Sequence, residues 1–153
     1  MIFEDLDEAL ENLNEQPVYD IDHFIKDFEI KVHYTDTLTD NINGYTIPMT
    51  KTLFINNRAP AKLFVKCHEF THCLLDSNSE PLIETSYMIG SRIEHRADMG
   101  ALTIMVQQYV TNGLIEPHEF SVTRFQQDFG LHSKYLYDIA AAAERVLGVP
   151  FYL

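Results

Sequence analysis

Basic residues are scarce in this sequence. Its 153 residues include 11 lysines and arginines against 23 aspartates and glutamates, which gives a formal net charge of −12 at pH 7. A surface with this balance repels phosphate backbones, so we expect no direct binding of nucleic acid through a basic patch. The same charge is compatible with a basic protein partner.

Long apolar runs and cysteines are equally scarce. No run approaches the roughly 18 uncharged apolar residues of a membrane-spanning helix. The opening segment MIFEDLDEALENLNE has neither the basic nor the apolar region of a secretory signal. Cys67 and Cys73 would point about 120° apart on a helix, so they do not pair readily with each other, which fits a reducing compartment. We expect a cytoplasmic protein without a membrane segment.

The residues that are present predict one domain with a mixed secondary structure. Hydrophobic residues make up 46% of the chain, enough for a real core. After two short helical patterns, residues 29–34, 44–48 and 51–56 are rich in β-branched and aromatic residues and are separated by turn formers. These segments predict a small antiparallel sheet of about three strands.

Helical periodicity dominates the rest of the chain. Residues 60–75 and 83–110 each form a helical pattern, and two or three further helices follow, ended by Gly148 and Pro150. We predict an α+β fold in which the small sheet packs with these two long helices and a helical tail follows. Residues 1–153 are expected to form one domain, with a core over 1–112 and a C-terminal lobe over 113–153.

The segment KCHEFTHCLLD, residues 66–76, places two imidazoles and a carboxylate on an otherwise apolar helix. His68 and His72 are one turn apart and project from the same face, with Glu69 beside them. Two imidazoles at this spacing can chelate one metal ion while the glutamate reaches its water, which is the chemistry behind the H-E-x-x-H pattern. The alternative is a pair of hydrogen-bonded core histidines and a surface acid. The apolar helix directly after a strand favours the metal site.

A tetrahedral zinc site needs a third protein ligand and one open position. The longer pattern with a histidine six residues after His72 is excluded, because Asn78 stands there. On the next predicted helix, Glu94 and Asp98 lie one turn apart among the small residues Gly90, Ala97 and Ala101. Glu94 is the predicted third ligand, and Asp98 is predicted to hydrogen-bond a ligand imidazole. Glu80, Glu84 and His95 remain competing ligands.

These three segments together resemble one family. An apolar strand ending in Asn, an H-E-x-x-H helix followed by leucines, and E-x-x-A-D on the next helix look like the ImmA/IrrE family of metallopeptidases, with a gluzincin-like layout. The resemblance covers residues 50–110 well. It is carried by Asn56, His68, Glu69, His72, Leu74, Leu75, Glu94, Ala97 and Asp98.

The resemblance implies a zinc-dependent endopeptidase, with Mn²⁺ as an alternative metal, in which Glu69 is the general base. Family members are intracellular and often cut a helix-turn-helix repressor encoded on a phage or mobile element, so a DNA-binding repressor is the expected partner and an antirepressor role follows. His95, Tyr87 and Tyr45 are candidate donors to the oxyanion. Residues 51–56 are a candidate edge strand for holding substrate.

Two other interpretations remain open from the sequence. One is a metal-containing binding module that inhibits a partner without cutting it, although the intact Glu69 argues against that. The other is a structural interaction domain that holds no metal. The C-terminal residues carry no assignable motif, and packing is their expected role.

Overall fold

A computed structural model describes residues 2–76 and 87–153 of the chain, and of residues 87–91 only the backbone. The described residues form three strands and six α-helices. The strands are β1 (Lys31–Thr35), β2 (Gly44–Ile47) and β3 (Thr52–Asn56). The helices are α1 (Leu6–Asn14), α2 (Ile21–Asp27), α3 (Lys62–Leu75), α4 (Tyr87–Gly113), α5 (Val122–Asp128) and α6 (Leu136–Leu147).

The α+β class and the three strands are confirmed, but the sheet is mixed rather than antiparallel. Its order is β1-β3-β2. β3 pairs antiparallel with β2, through a short 3-10 turn at Pro48–Thr50, and parallel with β1. Parallel neighbours cannot be joined by a tight turn. Here residues 36–43 and β2 carry the chain from one edge of β3 to the other.

The most apolar strand takes the centre of the sheet. Leu53 and Ile55 of β3 are fully buried under α3. The same alternation turns Phe54 to the opposite face, where its ring stacks on Tyr45 of β2 and His33 of β1. Residues 51–56 therefore cannot accept a substrate strand, because β3 is paired on both sides. Among the described residues, β2 is the edge strand next to α3.

Helix α3 lies between the sheet and α4 and is buried over most of its length. It begins at Lys62 after Ala61, whose backbone is left-handed at φ 52°. Pro60 therefore precedes the helix instead of occupying its first turn. The core around α3 contains the fully buried side chains Leu13, Ile21, Phe24, Leu53, Ile55, Phe70, Leu74 and Leu102.

The C-terminal helices pack on the second half of α4. α6 lies against α4, and α5 lies against α6. Phe125, Ile139, Ala142 and Ala143 are fully buried at these contacts, so the apolar face of α6 accounts for its position. Within the described parts of the chain, none of the helices combines the length and apolarity needed to cross a membrane.

Candidate metal centre

Helix α3 brings His68 and His72 side by side. Their ring centroids are 4.8 Å apart, and their Nε2 atoms approach to 3.2 Å. His72 is fully buried, and His68 is 13% exposed toward a cleft. The spacing of four residues on one helix is sufficient to explain this arrangement.

Helix α4 adds a carboxylate to the same point. One Glu94 oxygen lies 2.7 Å from His68 Nε2, and the other lies 3.2 Å from His72 Nε2. One potential ligand atom from each residue lies within 4.8 Å of the other two. Sequence separation gives no reason for this convergence, which depends on how α3 and α4 pack.

The close packing of α3 and α4 depends on small residues. Ala97 and Ala101 are buried at this contact, as is Gly100. A Cβ atom at Gly100 would lie 2.6 Å from Thr71 Cγ2 and 2.7 Å from Thr71 Oγ1, which is too close for any real contact. The absence of a side chain at Gly100 therefore lets α4 approach α3 closely enough for Glu94 to reach both imidazoles.

The Nδ1 atom of each imidazole, on the side away from the other ring, is hydrogen-bonded to a carboxylate. Asp98 Oδ1 lies 2.9 Å from His68 Nδ1, and Asp76 Oδ2 lies 2.9 Å from His72 Nδ1. Arg96 donates to the other Asp76 oxygen at 2.6 Å and so ties the end of α3 to α4. Sequence reasoning missed Asp76 and Arg96. The position of Asp76, four residues after His72, was a usable signal because residues at this spacing share a helix face.

The donor atoms fit a cation. A carboxylate only accepts hydrogen bonds, so His68 Nδ1 and His72 Nδ1 carry the protons that they donate to Asp98 and Asp76. When the imidazoles are neutral, each Nε2 atom therefore keeps a lone pair and no proton, and the Glu94 oxygens add negative charge at the same point. Such lone pairs repel one another unless a positive charge lies among them, so the set has the composition and convergence of a metal site.

Without a metal, a proton takes that place. Burial alone would lower the pKa of His68, but its hydrogen bonds with Asp98 and Glu94 outweigh burial and raise that pKa to about 10. Burial alone would raise the pKa of Glu94, but its hydrogen bonds with His68 and His72 lower that pKa to about 2. An imidazolium and a carboxylate therefore pair in the metal-free protein.

Glu69 lies beside the three donors and is 5% exposed. Burial raises the pKa of its carboxyl group. Thr46 of β2 donates its hydroxyl hydrogen to Glu69 Oε2, and its Oγ1 also lies 3.1 Å from the Glu69 carbonyl oxygen. β2 approaches this closely because Gly44 has no side chain: a Cβ there would lie 2.9 Å from Val65 Cγ1 and 3.2 Å from Glu69 Cγ.

A cleft of about 740 Å³ opens onto the donor residues. Its lining includes His68, Glu69, Glu94 and Asp98 together with Gly44 and Tyr45 of β2. The cleft therefore exposes Glu69 and two of the three candidate ligands to a substrate.

Of the candidate oxyanion donors, Tyr45 lines the cleft. His95 is exposed on α4 and is not part of the lining. The side chain of Tyr87 lies outside the described residues, as do Glu80 and Glu84.

The C-terminal lobe also lines this cleft, which the sequence did not predict. Leu131, His132, Lys134 and Tyr135 form part of its wall. Burial, together with the charges of Asp98 and other nearby carboxylates, raises the pKa of Tyr135 to about 12, so its phenol stays protonated. No local pattern signals this role, because the contact joins segments more than 60 residues apart in sequence.

The core of the chain matches a known family. Residues 25–99 match the family model described as the IrrE N-terminal-like domain, a family of peptidases. These residues belong to the IrrE N-terminal-like family. The matched segment runs from within α2 to within α4 and contains His68, Glu69, His72, Glu94 and Asp98. The resemblance to ImmA/IrrE proteins is confirmed, and membership supports a metallopeptidase type of function.

No curated protein and no solved structure matches the chain significantly. The family assignment therefore stands on the matched domain and on the site geometry.

Proposed function

We propose that this protein is a zinc-dependent endopeptidase that cleaves a DNA-binding repressor in the cytoplasm. One observation carries the proposal. His68, His72 and Glu94 converge on one point at an open cleft, with the buried Glu69 carboxylate beside them. Two imidazoles, a carboxylate and room for water are the composition of a catalytic zinc site, and Mn²⁺ also uses such ligands. When bound there, the metal supplies a Lewis acid that polarises the scissile carbonyl and acidifies water.

Glu69 is the general base in this mechanism. Its carboxylate takes a proton from the attacking water as the oxygen bonds to the carbonyl carbon. It then gives that proton to the amide nitrogen as the C–N bond breaks, which leaves a carboxylic acid and an amine. Burial raises the pKa of Glu69 and makes it a stronger base than an exposed glutamate. The hydroxyl of Thr46 holds the carboxylate in one orientation.

The cleft also provides for the substrate backbone and the carbonyl oxygen. Among the described residues β2 is the edge strand beside Glu69, so an extended peptide can pair with its outer backbone groups. Tyr135 lines the cleft, and the charges of Glu94 and Asp98 act on its phenol, whereas the Tyr45 ring stacks on Phe54 on the sheet face turned away from α3. We therefore assign the role of oxyanion donor to Tyr135.

The repressor as substrate rests on the family resemblance and on charge. DNA-binding proteins are basic, and the net charge of −12 attracts such partners. An antirepressor role on a phage or mobile element follows from the same resemblance. The entire chain, residues 1–153, acts as one unit in this proposal, because the C-terminal lobe completes the cleft.

Replacing Glu69 with Gln tests the proposal. The variant keeps the size of the side chain but cannot accept a proton, so cleavage should fall by about 10²–10⁴-fold while metal stays bound. The substrates are purified helix-turn-helix repressors encoded in the same genetic neighbourhood. Fragments are followed on gels, and reporter expression is followed in cells. Glu11→Gln, an exposed change on α1, is the matched control.

The outcomes separate peptidase from binding module. Loss of both fragments and derepression in Glu69→Gln supports hydrolysis. Derepression that persists without fragments contradicts it and shows that the protein works by binding.

A further inference from the structure

The cleft continues past the metal centre into an apolar region. Phe64 and Val65 lie one turn before His68 and Glu69 on α3, and both line the cleft. Leu38 and Ile42 add apolar surface from the loop before β2, and Leu131 and Tyr135 add it from the C-terminal lobe. A peptide bond placed at Glu69 therefore has apolar surface from three separate segments within reach of its neighbouring side chains.

The loop on one side of this region is held by the end of β3. Asn56 is buried and donates to the carbonyl oxygens of Thr39 and Ile42 at 3.2 and 2.9 Å. Arg58 donates to the carbonyl oxygen of Leu38 at 2.7 Å and to Asp40 at 2.8 Å. These bonds fix the loop backbone, so this side of the region is formed before a substrate arrives. They also give Asn56, part of the family pattern, a physical role.

A second side is formed by residues 130–135, here called the C-terminal wall. Gly130 takes a left-handed backbone (φ 64°) that turns the chain after α5. Two hydrogen bonds join the wall to α5. The side-chain NH₂ of Gln126 donates to the Leu131 carbonyl oxygen, and the Leu131 N–H donates to the backbone carbonyl oxygen of Gln126. Tyr135 packs its ring on Phe64, with centroids 5.0 Å apart. The C-terminal wall is thus attached to both α3 and α5.

We propose that this region is a specificity pocket for a large apolar side chain, such as Leu, Met or Phe, next to the scissile bond. The inference rests on the proposed peptidase function and deepens it. Apolar surface on both sides favours an apolar side chain and leaves a charged one without a partner. The C-terminal wall lies outside the family match at residues 25–99, so the selectivity is partly a property of this chain's own tail.

An equimolar library of synthetic peptides, randomised at four adjacent positions, tests the pocket. Metal-loaded protein is incubated with the library, and cleavage sites are mapped by mass spectrometry. We expect one position beside the cut to favour Leu, Met or Phe over Ala by at least about tenfold in kcat/KM, because each missing methylene costs about 10–200-fold.

Two variants in different segments of the lining test whether the pocket sets the preference. Leu131→Ala and Ile42→Ala enlarge it, so both should move the preference toward Phe or Trp. Ile42 is half-exposed, so its variant should fold even if the loss of the buried Leu131 does not permit folding. Leu114→Ala, an exposed leucine outside the lining, is the control and should keep the wild-type preference. Cleavage without apolar preference, or a preference unchanged in both variants, overturns the pocket.

A binding measurement keeps the pocket testable apart from catalysis. Methyl NMR signals of Val65 and Leu131 are recorded during titration with N-acetyl-leucinamide and with N-acetyl-alaninamide. Larger shifts and saturation with the leucine compound support the pocket, and equal responses overturn it. If no library peptide is cut but the leucine compound binds selectively, the proposed peptidase function fails and the pocket stands.

Discussion

At the scale of single residues, the candidate metal centre divides into proposed ligands and the groups that orient them. His68, His72 and Glu94 supply the converging donor atoms. Asp98 and Asp76 each accept a hydrogen bond from the far side of one imidazole. Such outer carboxylates fix the ring orientation and the tautomer, so their loss weakens a metal site without removing a ligand.

This division predicts graded losses of metal affinity. Glu94→Ala removes a ligand and should nearly abolish binding, whereas Asp98→Ala and Asp76→Ala should each cost about 10–100-fold. Zn²⁺ affinity is measured by competition with a chromophoric chelator. Asp22→Ala, an exposed aspartate on α2, is the control. Severe loss in Asp98→Ala with a filled site in Glu94→Ala would reverse the two assignments.

At the scale of secondary-structure elements, two glycines set the distances on either side of α3. Gly100 allows α4 to approach α3, so Glu94 reaches the two imidazoles. Gly44 allows β2 to approach α3, so Thr46 reaches Glu69. Each glycine sets the separation between two backbones and makes no side-chain contact of its own. A single methyl group at either position is therefore expected to disturb the centre.

Gly100→Ala is expected to destabilise the fold by about 1–3 kcal/mol through overpacking against Thr71. It should also weaken Zn²⁺ binding, because α4 must move and carry Glu94 away from the imidazoles. Chemical unfolding and metal titration measure the two effects. Thr71→Ala in the same chain should recover part of both losses, with Thr71→Ala alone as the control. Unchanged affinity in Gly100→Ala would show that Glu94 does not depend on this packing.

At the scale of the whole molecule, the charges at the candidate metal centre are expected to link the stability of the fold to pH and to metal binding. In the metal-free protein the pKa of His68 rises from 6.5 to about 10. Its contribution to the free energy of unfolding is therefore complete below about pH 6.5 and is lost as the pH rises toward 10. The pKa of Glu94 falls from 4.5 to about 2, so its contribution is present above about pH 4.5 and is lost toward pH 2.

The metal-free protein should therefore have its highest Tm between about pH 4.5 and 6.5 as far as this pair determines it. Zn²⁺ should shift the maximum upward, because the metal displaces the imidazole proton and binds more tightly as pH rises. At a free metal concentration 100 times Kd, the gain is about 2.7 kcal/mol. Calorimetry with EDTA and with Zn²⁺ across this range measures it. His72→Ala should show no metal-dependent gain, and an equal gain there would contradict the site.

Local periodicity by itself determined the paired groups of this protein. The repeat of 3.6 residues per turn puts His68 and His72 on one face of α3, and Glu94 and Asp98 on one face of α4, whatever surrounds the helices. The three strands and the long helices followed from apolar patterns of the same short range. The family resemblance then connected these local groups, and the match at residues 25–99 confirms the resemblance itself.

Only the tertiary structure decided which distant residues those groups contact. The parallel pairing of β1 with β3, the Thr46 contact with Glu69, the Arg96 contact with Asp76 and the C-terminal wall each join segments about 20 or more residues apart. Such contacts depend on how whole elements pack, and packing is decided by many weak apolar contacts acting together, which no local pattern encodes.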